Sequence, residues 1–300
     1  TVTGKPGTTA GTAPIPGPSA ATSNYSEKSA NYNVTIYSID SLKIGDYVNY
    51  IYDTANAYSL ASTYSGYSSN QTIAQTTELT WKVLNIDKEN DKVDIISTNP
   101  TNSKVYFRGV LGYNNGPYLT NEICKAQYSN KTLGVEARSI NLLDMEKHLT
   151  STGIASRNAY EMGAQYGKIK TYTSSKYRYY PKLYANQKGA GINTTSIMQP
   201  DITKGNDPYE ESKPIATTEP TTNSSYVSAS MKLTVTQTLY SIEINNDNYG
   251  DAASVLANST YFRVAARCVD TYSDLAYFGL RCAGTNMGGG PMIWSYNGDS

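Results

Sequence analysis

The residues best suited to acid–base or nucleophilic chemistry are few: one histidine, His148, and three cysteines, Cys124, Cys268 and Cys282. A single histidine leaves a histidine-based triad only one candidate base. The set is also too small for zinc sites built from several Cys and His side chains. His148 falls late in a predicted helix, where a cation favours the negative end of the helix dipole, so a capping or surface role outweighs catalysis. Three thiols permit at most one intramolecular disulfide and leave one over. A second constellation, Asp201, Asn206, Asp207 and Glu210, places hard oxygen donors around Gly205 and could ligate calcium. A solvated acidic loop is the better reading, so neither a metal nor a cofactor is expected. Asn33, Asn70, Asn130, Asn193, Asn223 and Asn258 stand in Asn-X-Ser/Thr triplets, mostly by coincidence in a chain so rich in these residues. No base–nucleophile pair emerges, and the chain reads as a binding protein rather than an enzyme.

The elements that would position such residues follow from periodicity. Residues 1–35 are Gly, Pro, Ser, Thr and Ala with almost no bulky apolar side chain, which predicts a disordered linker or stalk. From residue 36 onward the pattern becomes that of a folded domain. Residues 44–52 are rich in β-branched and aromatic side chains and predict a strand. Residues 81–87 and 92–97 alternate apolar and polar side chains around Lys88-Glu89-Asn90-Asp91, the clearest hairpin in the sequence. Helices are predicted over about 118–128, carrying Cys124, and about 141–149, where Leu142, Met145 and Leu149 share a face. Residues 150–230 read as a long polar insertion. Strand character returns at 232–240, a short helix follows near 249–256, and the tail offers strands at 261–269, 276–281 and 292–296. This order predicts an α+β domain over 36–300 with mixed antiparallel sheets and two main helices.

Composition narrows the class. The 300 residues contain 25 Lys+Arg and 25 Asp+Glu, a zero balance that leaves no electrostatic footprint for nucleic acid or an anionic membrane. No apolar run is long enough to span a membrane. The chain opens at Thr1, so a leader or upstream anchor has been removed or the chain has been trimmed. Tyr numbers 28 against 3 Phe and 2 Trp. Tyrosine suits both strand positions and wetted contact surfaces, which favours an extracellular or cell-surface protein.

Several segments carry a family likeness: Trp81-Lys82-Val83-Leu84-Asn85, Val105-Tyr106-Phe107 with Gly112-Tyr113-Asn114-Asn115-Gly116, Glu122–Asn130, Ala137-Arg138-Ser139-Ile140, Ala265-Ala266-Arg267-Cys268-Val269 and Phe278-Gly279-Leu280-Arg281. They resemble a group of firmicute surface proteins, many of which start with a pilin-like membrane helix. The C-terminal part looks like the C-type-lectin-like fold of variable proteins made by diversity-generating retroelements. The resemblance implies a diversified binding face in the tail 260–300, on Asp270, Tyr272, Asp274, Leu275, Tyr277, Cys282, Thr285, Asn286, Ile293, Trp294 and Tyr296. It implies a scaffold that includes Phe278, Leu280, Arg281 and Met292, and a protein or glycan ligand on another cell, phage or host surface. It also implies a Cys124–Cys268 disulfide, with Cys268–Cys282 as the competing pair. Members commonly run on into a closing strand with an Arg-Pro pair and valines, and this sequence ends at Ser300 before one. Two rivals accompany the binding reading. One is a structural pilin-like or fibre subunit. The other is an enzyme of the formylglycine-generating type, whose active-site pattern is not evident here.

Overall fold

A computed structural model describes residues 2–4, 11–18, 29–36, 38–159, 169–173, 232–236, 242–258, 260–272, 275–285 and 291–296. The architecture is α+β, with helices packed on antiparallel sheets. The strands are β1 (Val2–Gly4), β2 (Gly11–Pro18), β3 (Ser29–Ile36), β4 (Tyr47–Val48), β5 (Tyr58–Leu60), β6 (Gln71–Ile73), β7 (Trp81–Asp87) and β8 (Lys92–Ser97). They continue with β9 (Glu136–Ala137), β10 (Ile169–Thr173), β11 (Lys232–Thr236), β12 (Ile242–Glu243), β13 (Phe262–Tyr272), β14 (Leu275–Thr285) and β15 (Pro291–Tyr296).

The β7–β8 hairpin forms where the alternation places it. Its turn is held by Asn90, whose backbone N–H and side-chain amide donate to the Asp87 carboxylate at 3.1 and 2.8 Å. Asp91 takes the positive φ of 53° that closes the turn. Between Val83 and Asn85 the register shifts by a bulge. Val83 and Leu84 are both fully buried, in different core clusters on opposite sides of the sheet. Val83 joins Trp81, Val93, Ile95, Tyr128 and Ala137, while Leu84 joins Ile96, Leu142, Met145, Tyr249, Val264 and Ala283. The five-stranded sheet, in order β4-β7-β8-β1-β9, therefore has core on both faces.

The strand expected over 44–52 shortens to β4, paired with β7 through Tyr47↔Lys82 and Val48↔Trp81. Tyr50 and Tyr52 leave the ladder to donate their hydroxyls to the carbonyls of Tyr128 and Thr76, at 2.7 and 2.8 Å. Their rings meet Trp81 edge-on at 5.1 and 6.1 Å. Tyrosines account for much of the packing here because a phenol fills apolar space and still satisfies a loop carbonyl.

Helix α1 is the single turn Ser62–Ser65, and α2 runs from Gly109 to Tyr128, nine residues longer than the sequence pattern indicates. Helix α3 covers Leu142–Glu146, with a capping box between Asn141 and Asp144. The predicted helix to residue 149 stops there, and a further helix, α4 (Ser151–Asn158), opens on the Thr150 side chain. Two short turns, α5 (Asn246–Tyr249) and α6 (Ala253–Leu256), flank a 3-10 turn at Gly250–Ala252.

Two departures concern the segments read as loops. The N-terminal stretch predicts an unpaired linker, yet β2 and β3 pair over their full length, and β1 lies inside the five-stranded sheet. Pro14, Pro16 and Pro18 fall at every second position of β2, leaving the N–H groups of the intervening residues for the ladder. The long insertion begins with helix α4, and its two ends are joined by β10 and β11, in register from Ile169↔Thr236 to Thr173↔Lys232.

Candidate functional site

The tail forms a four-stranded sheet in the order β12-β15-β14-β13. Its longest strands are those of the β13–β14 hairpin, 11 residues each, with β13 at the edge of the sheet. The base of the hairpin is packed on both sides. Val264, Ala265 and Ala266 on β13, and Leu280, Arg281, Cys282 and Ala283 on β14, are all buried. Leu280 lies against Gly116 of α2, while Val264, Ala266 and Ala283 belong to the cluster that holds Leu84 and Met145. The Ala265 N–H also donates to the Ile140 carbonyl at 2.8 Å, tying β13 to the start of α3.

Distal to this base the register opposes Asp270 to Tyr277 and Tyr272 to Leu275. Opposed residues of an antiparallel ladder share a face, and so do residues two apart. Asp270, Tyr272, Leu275 and Tyr277 thus occupy one face of the hairpin by position, the face to which Arg281 and Ala283 also belong. Ile293, opposed to Ala283, and Thr285 hold the same parity. Trp294 and Tyr296 do not: they oppose Cys282 and Leu280 and fall on the other face. Asp274 and Asn286 lie outside the described residues, as do the calcium candidates Asp201, Asn206, Asp207 and Glu210.

Cys282 requires a correction. Expected on an outer face, it is fully buried, with Arg263 Nη1 3.8 Å from its Sγ. The disulfide expectation is corrected as well, because neither Cys124 nor Cys282 is in a disulfide. Cys124 packs against the cluster that holds Trp81 and Tyr128. Cys268 opposes Gly279, three residues from Cys282, so those two Cα atoms stand about 10 Å apart along the strands, too far for a disulfide. Burial pushes the Cys124 thiol up, which keeps it protonated and poorly nucleophilic.

His148 also departs from expectation. The helix ends before it, its N–H donates to the Met145 carbonyl at 3.1 Å, and its Nε2 is buried with no hydrogen-bond partner. Burial, then the Lys147 ammonium, lower its pKa, so the neutral ring is favoured over a cationic cap.

A buried polar group under the sheet escaped the sequence reading. Arg281 and Tyr249 are almost wholly enclosed, and Glu146 and Arg157 lie 3.7 Å apart beside them. Burial pushes the Tyr249 hydroxyl up, Arg281 partly opposing that shift. The scaffold pattern named Arg281, but only the fold brings Tyr249 and Glu146 to it. Among the described residues no cluster of three His, Cys, Asp or Glu side chains could hold a metal ion, and no helix is long and apolar enough to cross a membrane. No known family model, no curated protein and no solved structure matches the chain.

Proposed function

We propose that this chain is a secreted or surface-displayed binding protein whose contact face is the distal half of the β13–β14 hairpin. The observation that carries the reading is the pairing of Asp270 with Tyr277 and of Tyr272 with Leu275. Four positions singled out for a diversified face meet in two opposed pairs on the longest strands of the tail. A hairpin clamped at its base by α2 and the main core tolerates change at its far end without unfolding. Two tyrosines offer rigid amphipathic area at low entropic cost, and one aspartate adds a charged acceptor. In this reading the domain is C-type-lectin-like, the face is diversified in the manner of retroelement variable proteins, and the ligand is a protein or glycan on another cell, phage or host surface. Helices packed on antiparallel sheets, with the face on late strands, support that finer assignment.

The test uses the whole chain and a variant carrying Asp270→Ala, Tyr272→Ala, Leu275→Ala and Tyr277→Ala. Both are labelled and applied to a glycan array and to panels of bacterial, phage and host-cell surfaces. Saturable binding by the parent, reduced at least about tenfold in a variant of unchanged melting temperature, is the expected result. Equal binding by the two chains, or collapse of the variant's fold, would remove the face from this hairpin. A second reading, a subunit of a larger assembly, draws on one observation: the N-terminal strand is enclosed between two others in the five-stranded sheet.

A further inference from the structure

Strands β8 and β9 face each other across the width of one strand, and β1 fills the gap. Val2 opposes Ile95 on one side and Ala137 on the other, and Thr3 opposes Asp94 and Glu136. The walls of this gap belong to the core: Val93, Ile95 and Ala137 are buried and pack with Trp81, Val83 and Tyr128. An interior gap of this kind has to be filled, because vacating it strips main-chain partners from two edges at once. The filler is only three residues long, while β8 offers six. Residues 5–37 separate the filler from the body of the domain, with many Gly, Pro, Ser, Thr and Ala. Main-chain pairing is chemistry that any extended segment supplies, and it is identical whichever copy donates the strand.

We infer that the gap between β8 and β9 is a strand-acceptor site whose partner is the N-terminal strand of a second copy of this chain. This rests on the assembly reading and is independent of the hairpin face. Joined to its acceptor through residues that include the β2–β3 hairpin, a chain's own strand is held at an effective concentration of order ~1 mM. Exchange takes over where chains are packed at comparable density, as on a surface.

Two full-length chains test it, one carrying Val2→Cys and the other Ala137→Cys, beside a chain carrying both. Opposed Cα atoms in an antiparallel ladder lie about 5 Å apart, within disulfide reach. After oxidation, cross-linked peptides are mapped by mass spectrometry. The doubly substituted chain at ~1 µM, far below the tether's effective concentration, closes within itself. An equimolar mixture of the single variants near ~1 mM gives a covalent heterodimer joined through residues 2 and 137. Dilution before oxidation, or excess parent chain, suppresses that heterodimer. Closure within one chain without any heterodimer overturns exchange between copies, and no 2–137 link in either sample overturns the acceptor site itself. Neither result touches the β13–β14 face, whose binding is measured separately.

Discussion

Gly116 of α2 lies directly against Leu280 of β14, so closely that a Cβ on residue 116 would come within 2.4 Å of Leu280 Cδ1. This approach seats the long helix on the sheet that carries the candidate face. Glycine inside a helix costs roughly 1 kcal/mol relative to alanine, so the local preference is overridden by packing. Gly116→Ala regains that propensity but overfills a buried seat, a change that typically costs about 1–3 kcal/mol. The expected net result is a loss of up to about 2 kcal/mol, read from urea unfolding. A midpoint that stays or rises would mean that Leu280 turns aside freely. Gly284→Ala should cost more, since its φ is +113° and the added Cβ would lie 2.4 Å from the Thr260 carbonyl oxygen, which is backbone.

The same glycine explains why only half of α2 was legible. Gly112, Gly116 and Pro117 read as breakers in a sequence, and the helix runs through all three because tertiary contacts reward it. The β7–β8 hairpin was legible because its alternation and its turn residues agree. Helix α4 was not, since Ser151–Asn158 is polar and interrupted by Gly153, whose seat against the Asn248 carbonyl is visible only in the fold. The candidate face was legible as a set of positions, but not as two faces. Cys282 stands an odd number of residues from Leu275 and Tyr277 along β14, and Trp294 and Tyr296 oppose Cys282 and Leu280, so these three fall on the far side of the sheet.

Asp144 holds the turn between the two core faces. It is buried, accepts both Nη groups of Arg138, one of them at 2.7 Å, and accepts the Asn141 N–H at 2.9 Å. Asp144→Ala leaves the Arg138 guanidinium without its main partner and removes half of the capping box. A loss of about 3 kcal/mol is expected by chemical denaturation. Asp144→Asn, which keeps an acceptor but not the charge, should recover part of it. Equal stability of both variants with the parent would reduce the pair to a surface contact.

His148 is the sole histidine, so its titration can be followed by proton NMR without overlap. Its folded-state pKa is lowered, chiefly by burial and then by Lys147, so the unfolded chain takes up a proton before the folded one does. The contribution is fully present above the unfolded value near 6.5. It is lost as the pH falls from there through the folded pKa. Stability should therefore fall as the pH is lowered from about 7 through 6.5 and below, and His148→Gln should flatten that part of the profile. A parent profile already flat there, or an imidazole titrating at or above 6.5, would contradict the burial of Nε2.

Cys282 offers the sharpest check on the position of the face. It is fully buried, opposes Trp294 across the ladder and has the Arg263 guanidinium beside its sulfur. Thiol reagents need access before reactivity matters. Brief treatment of the native chain with iodoacetamide should leave Cys282 unmodified, and treatment in urea should label it completely, both read by peptide mass spectrometry. Cys282→Ser, which buries a hydroxyl in the same seat, should cost about 1–3 kcal/mol. Rapid labelling with the tertiary fold intact would return Cys282 to an outer surface. The outer face of the hairpin would then be the one that carries Cys282, Trp294 and Tyr296, not the one that carries Asp270, Tyr272, Leu275 and Tyr277.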